Sequence, residues 1–396
     1  MPASAAQIPS PLSLYIHVPF CRSRCRYCAF SSRALSSGCL DRYVPALLRE
    51  IALWGEHFSN ARPAVSTVFF GGGTPSLLPP VGIVAIMEAL RSVFWLEPGA
   101  EITMEANPDS ATTPFFQAAR MAGVNRLSLG VQSLDDRYLS ELGRPHTALQ
   151  ARQTVAAARA AGFDNLGLDL IWGLPGQTAA HWLETLRAAI ALGPDHLSCY
   201  GLMLEPGTPL ADAVAQARPG QLPLPEEVVL ERMYLEGGAL LDHAGFAQYE
   251  ISNYSLPGRR CRHNLLCWQG RDYIGFGPAA VSTLTGPVND NDSTHVVRWT
   301  NPDDPDDWAG CVAAGHIGGQ YAGDREDLTA VQRRQERVML GLRTCLGAAL
   351  SDMPFSAGLM LRLQQENLAR VAEGRLYLTR RGMLVSNSII EALAFD

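Results

Sequence analysis

The sequence predicts an α/β chain: an incomplete (β/α)6, TIM-like barrel followed by a smaller α+β module. Three observations predict it. Short apolar runs alternate with helix-period stretches six times over roughly 190 residues. Gly123, Gly162 and Gly193 stand where three of those helices should stop. After Pro206 the rhythm gives way to Pro209, Pro219, Pro223 and Pro225. Repeated βα units mean a parallel sheet, either open or curled toward a barrel; eight units would suggest a full barrel, and here there are six.

The expected strands are 14–18, 67–70, 101–105, 126–131, 166–172 and 196–202. Between them, 42–58 has helical spacing and sets Val44, Leu47, Leu48, Ile51 and Trp54 on one face. Segments 81–94, 148–161 and 178–192 read likewise. Beyond the proline-rich connection, 226–244 reads as a helix, and 249–282 as irregular structure with short strands. The acidic stretch 290–307 reads as a surface loop. The last part has helices at 331–343 and 357–368, a strand at 375–378, a turn at 380–383 and a helix from Asn387. Helices followed by a short hairpin resemble a winged-helix module. The expected organisation is a tail at 1–12, the barrel core at 13–205, a connecting and ligand-side region at 206–310, and an accessory domain at 311–396.

Composition bounds the rest. The chain has 396 residues, 47% hydrophobic and 18% charged, which excludes a disordered chain. A net charge of −7 gives no reason to expect nucleic acid. Apolar runs fall far short of a membrane span. Residues 1–12 lack the positive charge and long apolar run of a leader, so a cytoplasmic protein is expected. There are nine cysteines, and Cys21, Cys25 and Cys28 fall within eight residues of one another. A disulfide framework would spread an even number along a small chain.

Three thiols with gaps of three and two residues fit one loop around a metal cluster. Zinc needs a fourth ligand, and no Cys or His pair nearby supplies it; His17 lies on the first strand and Cys39 is eleven residues on. A four-iron cluster held by three thiolates keeps one iron open. The bland alternatives are three buried cysteines or a partial zinc knuckle. The second strand runs into Gly71-Gly72-Gly73-Thr74-Pro75, where missing side chains let a backbone approach a ligand or simply make a tight turn. Most of Glu105, Gln132, Arg144 and Asp169 lie at or just beyond the end of an expected strand, where a barrel builds its site; each alone fits a cap or a buried structural polar group.

With an aromatic, Tyr27, before the last cysteine, this CxxxCxxC loop resembles that of the radical S-adenosylmethionine (SAM) superfamily. The resemblance implies a [4Fe-4S] cluster on Cys21, Cys25 and Cys28, whose open iron takes the methionine end of SAM. Electron transfer into the sulfonium would then give a 5′-deoxyadenosyl radical. It also implies cofactor-side roles for Tyr15, Tyr27, Gly72, Gly73, Thr74, Glu105, Gln132, Arg144 and Asp169. No residue is assigned a catalytic role.

Over nearly the whole chain the resemblance is to the coproporphyrinogen III oxidase-like (HemN/HemW) family. It rests on Tyr15-Ile-His-Val-Pro-Phe-Cys21, Gly71-Gly-Gly-Thr-Pro-Ser-Leu, Gly130-Val-Gln-Ser, Asp169-Leu-Ile-Trp-Gly-Leu-Pro-Gly, and Tyr200 with Glu205-Pro-Gly-Thr. The oxidase branch has a fourth cysteine where this chain has Phe30, and a longer segment before its cluster than the twenty residues here; both point to the haem-chaperone branch. Arg262-His263-Asn264-Leu-Leu-Cys267-Trp268 is similar to that branch's HNxxYW segment, making His263 and Cys267 candidate haem ligands and Arg259, Arg260 and Arg262 propionate partners. The alternative for His263 is a structural histidine at a strand edge. Two departures stand: Cys267 replaces an aromatic residue, and Val281 stands where the chaperone branch usually has histidine.

The expected function is haem binding for transfer to haemoproteins. The alternatives are oxidative decarboxylation of coproporphyrinogen III and radical methyl transfer. Expected partners are haem or a porphyrinogen, a haemoprotein acceptor, and a reductant such as flavodoxin. Arg22, Arg24 and Arg26 either dock that reductant or form a solvated loop face. Cys39, Cys199, Cys261, Cys311 and Cys345 show no ligand spacing.

Overall fold

The computed structural model describes residues 11–59, 61–218, 220–288, 292–320, 325–353 and 357–394, so most of the expected tail at 1–12 lies outside it. The chain forms two compact units. The first comprises Met1–Gly167, Leu204–Asp212 and Arg271–Leu328. The second comprises Leu168–Met203, Ala213–Gly270 and Thr329–Asp396.

Four parallel strands lead the first unit: β1 (Leu12–Val18), β2 (Ala64–Gly72), β3 (Trp95–Ala106) and β4 (Arg126–Gln132). They lie side by side in chain order, with Leu14 opposite Val68, Val68 opposite Ile102 and Met104 opposite Leu127. β1 is almost wholly buried, with Leu12, Leu14, Ile16 and Val18 on one face alternating with Ser13, Tyr15 and His17 on the other. Its other edge pairs in parallel with Tyr273–Phe276, Tyr15 opposite Gly275. Antiparallel strands Val281–Val288, Asp292–Thr300 and Arg325–Leu328 continue the sheet.

The strand Asp292–Thr300 corrects the expected surface loop at 290–307. Acidic residues and prolines dominate the composition of that stretch, but its middle holds Val296 and Trp299, both buried in the sheet. Trp299 stacks on Trp54 of the helix Cys39–His57, ring centroids 6.2 Å apart. Glu50 of that helix is buried, accepting from the Gly277 N–H at 2.8 Å and the Asn301 amide at 3.0 Å. A buried carboxylate is tolerated because its oxygens have donors.

The second unit carries β5 (Leu166–Trp172) from Leu168 on, and β6 (His196–Gly201). β6 pairs antiparallel with Asn253–Ser255, which pairs with Ala247–Gln248. Helices Ala179–Ile190 and Glu227–His243 pack together, the Trp182 indole donating to the Met233 carbonyl at 3.1 Å. The last part is helical with a small antiparallel sheet of Ala348–Ala349, Arg375–Leu378 and Ala369–Ala372, close to the expected winged-helix-like pattern. Its core includes Val338, Leu342, Leu363, Leu376 and Ile390. The expected turn at 380–383 is the short helix Arg380–Leu384, capped by the Thr379 hydroxyl.

A second correction falls at 249–282. Residues Arg262–Trp268 are a helix, not part of a strand edge. Its two turns are too short for helical periodicity to stand out among the surrounding arginines and aromatics.

Candidate functional site

The site is built at the C-terminal ends of β1 to β4. β1 runs out into the cysteine loop, whose stem closes on itself. Phe20 and Cys21 pair with Arg33 and Ala34, and the Arg33 N–H donates to the Pro19 carbonyl at 2.7 Å. His17 adds a side-chain clamp. Its pKa is lowered by burial, so the ring is neutral, with Nε2 3.0 Å from the Ser31 carbonyl and Nδ1 3.0 Å from the Tyr15 hydroxyl. A carbonyl only accepts, so Nε2 carries the proton and Nδ1 accepts from Tyr15. Tyr15, expected on the cofactor side, thus serves the loop's anchor.

Cys21, Cys25 and Cys28 are free and half-buried. Burial pushes the Cys28 thiol up; a backbone hydrogen bond at Phe30 opposes this, and the nearby sulfurs of Cys25 and Cys21 add to it. Three sulfurs thus share one neighbourhood. Among the described residues no three His, Cys, Asp or Glu side chains converge on a single metal ion. A cluster makes no such demand, because each thiolate binds its own iron.

The glycine run meets this loop. At Gly72, with φ +105°, an added Cβ would lie 2.6 Å from the His17 ring; at Gly73 it would lie 2.7 Å from the Phe20 carbonyl. The space the sequence suggested for a ligand is therefore partly taken by the loop's own stem. Beyond it, the Thr74 hydroxyl lies 3.5 Å from the Cys21 sulfur.

Arg144 is the centre of the polar side. Nη1 donates to the Cys25 sulfur at 3.3 Å, and Nη2 to the Gly130 carbonyl and Asn107 Oδ1, each at 2.7 Å. Tyr27 lies beside it: burial raises its hydroxyl pKa, while Arg144 draws it back down. Gln132 ends β4 with φ +64°, in the left-handed region that non-glycine residues seldom occupy. Glu105, one residue before the end of β3, sits opposite Ser128 and is half-buried.

The structure thus gathers Cys21, Cys25, Cys28, Tyr27, Thr74 and Arg144. Asn107 was missed by sequence reasoning; its only signal is its place in Glu-Ala-Asn-Pro, just past the end of β3. Gly130 also gains a reason. A Cβ there would lie 2.7 Å from Asn107 Oδ1, 3.1 Å from Gln132 Nε2 and 3.2 Å from Arg144 Nη2. Two of the loop arginines are engaged: Arg22 bonds the Asp109 carbonyl at 3.0 Å, and Arg26 the Glu141 carbonyl at 3.3 Å.

Asp169 belongs to the second unit, at the middle of β5. Near it burial, and secondarily the Asp169 charge, raise the Cys199 thiol pKa. The haem candidates lie on the helix Arg262–Trp268, one turn apart on the same face. His263 is buried, and burial pushes the Cys267 thiol up to about 12. Ligation of haem by cysteine uses the thiolate, and burial favours the neutral thiol until a metal takes its proton. The expected propionate partners are also engaged, Arg259 with Asp195 at 3.6 Å and Arg260 over the Tyr249 ring at 5.9 Å.

Comparison with known proteins places these features. A family profile described as the Radical SAM superfamily matches residues 15–189. The chain is 37% identical to the heme chaperone HemW of Mycobacterium tuberculosis, over 99% of this chain and 97% of that one. It is 36% identical to HemW of Escherichia coli, over 96% and 97%. It is 38% identical to the mouse mitochondrial radical S-adenosyl methionine domain-containing protein 1, over 87% of this chain and 77% of the relative. Among solved structures it is similar to coproporphyrinogen III oxidase (HemN) of E. coli, a radical SAM enzyme, with a TM-score of 0.79 and 25% identity over 98% of this chain and 91% of that one.

Proposed function

The chain belongs to the radical SAM superfamily and, within it, to the HemW family, and we propose that it binds haem and passes it to haemoprotein acceptors. The observation that carries the reading is the similarity to HemW heme chaperones over 96% of this chain or more. Phe30 supports it: an exposed phenylalanine stands where the oxidase branch has its fourth cysteine.

The cofactors of the superfamily are a [4Fe-4S] cluster and SAM, and the residues present fit both. Cys21, Cys25 and Cys28 would hold the cluster. Arg144 and the Thr74 hydroxyl already stand as donors to two of the sulfurs. Thr74, Glu105, Gln132 and Arg144 are the candidates for holding SAM, with Asp169 kept on the resemblance alone. Together the two groups supply one-electron reductive cleavage of the SAM sulfonium. The chain's own residues anchor the loop through His17 and Tyr15 and direct donors at its sulfurs.

For haem, His263 is the ligand we propose, since an imidazole is a common axial ligand of haem iron. A haemoprotein acceptor and an acidic reductant are proposed partners; the exposed Arg24 remains for the latter. A cytoplasmic location is supported by nine cysteines, all free. No helix among the described residues is long and apolar enough to cross a membrane.

The test uses anaerobically reconstituted protein. Haem should produce a Soret shift that His263→Ala abolishes and Cys267→Ala keeps. A shift unchanged in His263→Ala discards that ligand, and no shift in the wild type discards haem binding. The likeness to HemN favours one second reading, decarboxylation of coproporphyrinogen III. Carbon dioxide released from coproporphyrinogen with SAM and reductant would establish it.

A further inference from the structure

Two of the three cluster cysteines are joined by one chain of hydrogen bonds whose middle member is Asn107. Arg144 donates to the Cys25 sulfur with Nη1 and to Asn107 Oδ1 with Nη2, at 3.3 and 2.7 Å. The other end of the same amide, Nδ2, donates to the Thr74 hydroxyl oxygen at 3.0 Å. That hydroxyl lies 3.5 Å from the Cys21 sulfur.

The direction of every bond is forced. A guanidinium has only donors, so the amide oxygen must face Arg144 and the amide nitrogen must face Thr74. Having accepted from the amide, the hydroxyl is left to turn its proton toward sulfur. The chain therefore runs with one polarity from a half-buried cation to both sulfurs, and such chains strengthen along their length. Asn107 is fixed at its base as well. Its N–H donates to the Ser76 hydroxyl at 3.1 Å, and its carbonyl accepts from the Ser110 and Ala111 N–H groups. Gly130 is without a side chain where one would strike Asn107 Oδ1.

We propose that Asn107 is a positioning residue. It orients Arg144 and Thr74 so that both donate to cluster thiolates, and so raises the potential at which the cluster accepts an electron. Donors aimed at sulfur stabilise the reduced cluster, which carries one more negative charge. The proposal rests on the three cysteines holding a cluster, and the experiment separates the two claims.

Wild type and Asn107→Leu, which is near in volume, are reconstituted anaerobically. Iron and sulfide content report the cluster, and a redox titration followed by electron paramagnetic resonance reports its midpoint. The expected result is full cluster content with about a tenfold fall in the ratio of reduced to oxidised cluster at fixed ambient potential. That is about 59 mV for one electron. Full content with an unchanged midpoint overturns the proposal. Should Asn107→Leu not fold or load, Thr74→Val and Thr74→Ser carry the same test. The valine variant, which lacks the last donor, should fall, and the serine variant should match wild type; equal midpoints in both overturn the relay. Wild-type protein that takes up no iron removes the cluster reading beneath it, and iron content alone reveals that case.

Discussion

Arg144 places one guanidinium nitrogen 3.3 Å from the Cys25 sulfur, across 119 residues of chain. The other terminal nitrogen holds the Gly130 carbonyl and Asn107. Arg144→Leu leaves both acceptors without this donor, at a cost of about 1–3 kcal/mol. Urea unfolding should show a lower midpoint with unchanged slope. Arg144→Lys restores a charge but not a planar fork, so most of the loss should persist. A lysine variant as stable as wild type would count against this account.

Cys25→Ala should abolish the visible absorbance of the reconstituted cluster, while Cys39→Ala should leave it intact. Cys39 is buried at the start of a helix, apart from the sulfur donors. Absorbance retained in Cys25→Ala would remove the cluster assignment.

Gln132 is held with φ +64° at the end of β4. A non-glycine residue in that region costs on the order of 1 kcal/mol, and such strain gathers at functional sites. Gln132→Gly should therefore keep or raise stability while weakening SAM binding. Chemical denaturation and equilibrium dialysis with SAM measure the two effects. A glycine variant that binds SAM as tightly as wild type would show that the side chain has no part in the site.

Glu250 gives a pH dependence of stability in the second unit. Burial pushes its carboxyl from 4.5 up to about 7, against hydrogen bonds from Ser252, Asn253 and Ile251. Between those values the folded chain binds a proton that the unfolded chain has released, so this contribution is complete below about pH 4.5 and lost as pH rises through 7. Glu250→Gln lacks the dependence. Its stability relative to wild type should improve from pH 5 to pH 8, by on the order of 3 kcal/mol. Urea titrations at the two values check it; a difference constant with pH refutes it.

Most of the barrel was legible because its signals are local. The expected strand 166–172 coincides with β5, and 148–161 differs from the helix Ala148–Ala160 by one residue. The strand rests on its apolar run and the helix on its spacing and the stop at Gly162, each within one stretch of chain. The strand Asp292–Thr300 and the helix Arg262–Trp268 were not legible, because their flanks outweigh their own short patterns. Pairing of Tyr273–Phe276 beside β1 has no local signature at all.

The site divides in the same way. The spacing of Cys21, Cys25 and Cys28 by itself determined which thiols share a loop, since residues so close in chain can hardly be far apart in space. Only the tertiary structure decided what those sulfurs meet. Thr74, Asn107 and Arg144 come from three separate connecting segments, the last between two helices, and a hydrogen bond between residues 33 or 37 positions apart leaves no period in the sequence. The structure also decided that His17 and Gly72 are two halves of one contact, because a Cβ at Gly72 would lie where the His17 ring lies. Residue types set which bonds can form; the register of β1 against β2, with His17 opposite Gly71 and Val18 opposite Gly72, decides which of them do.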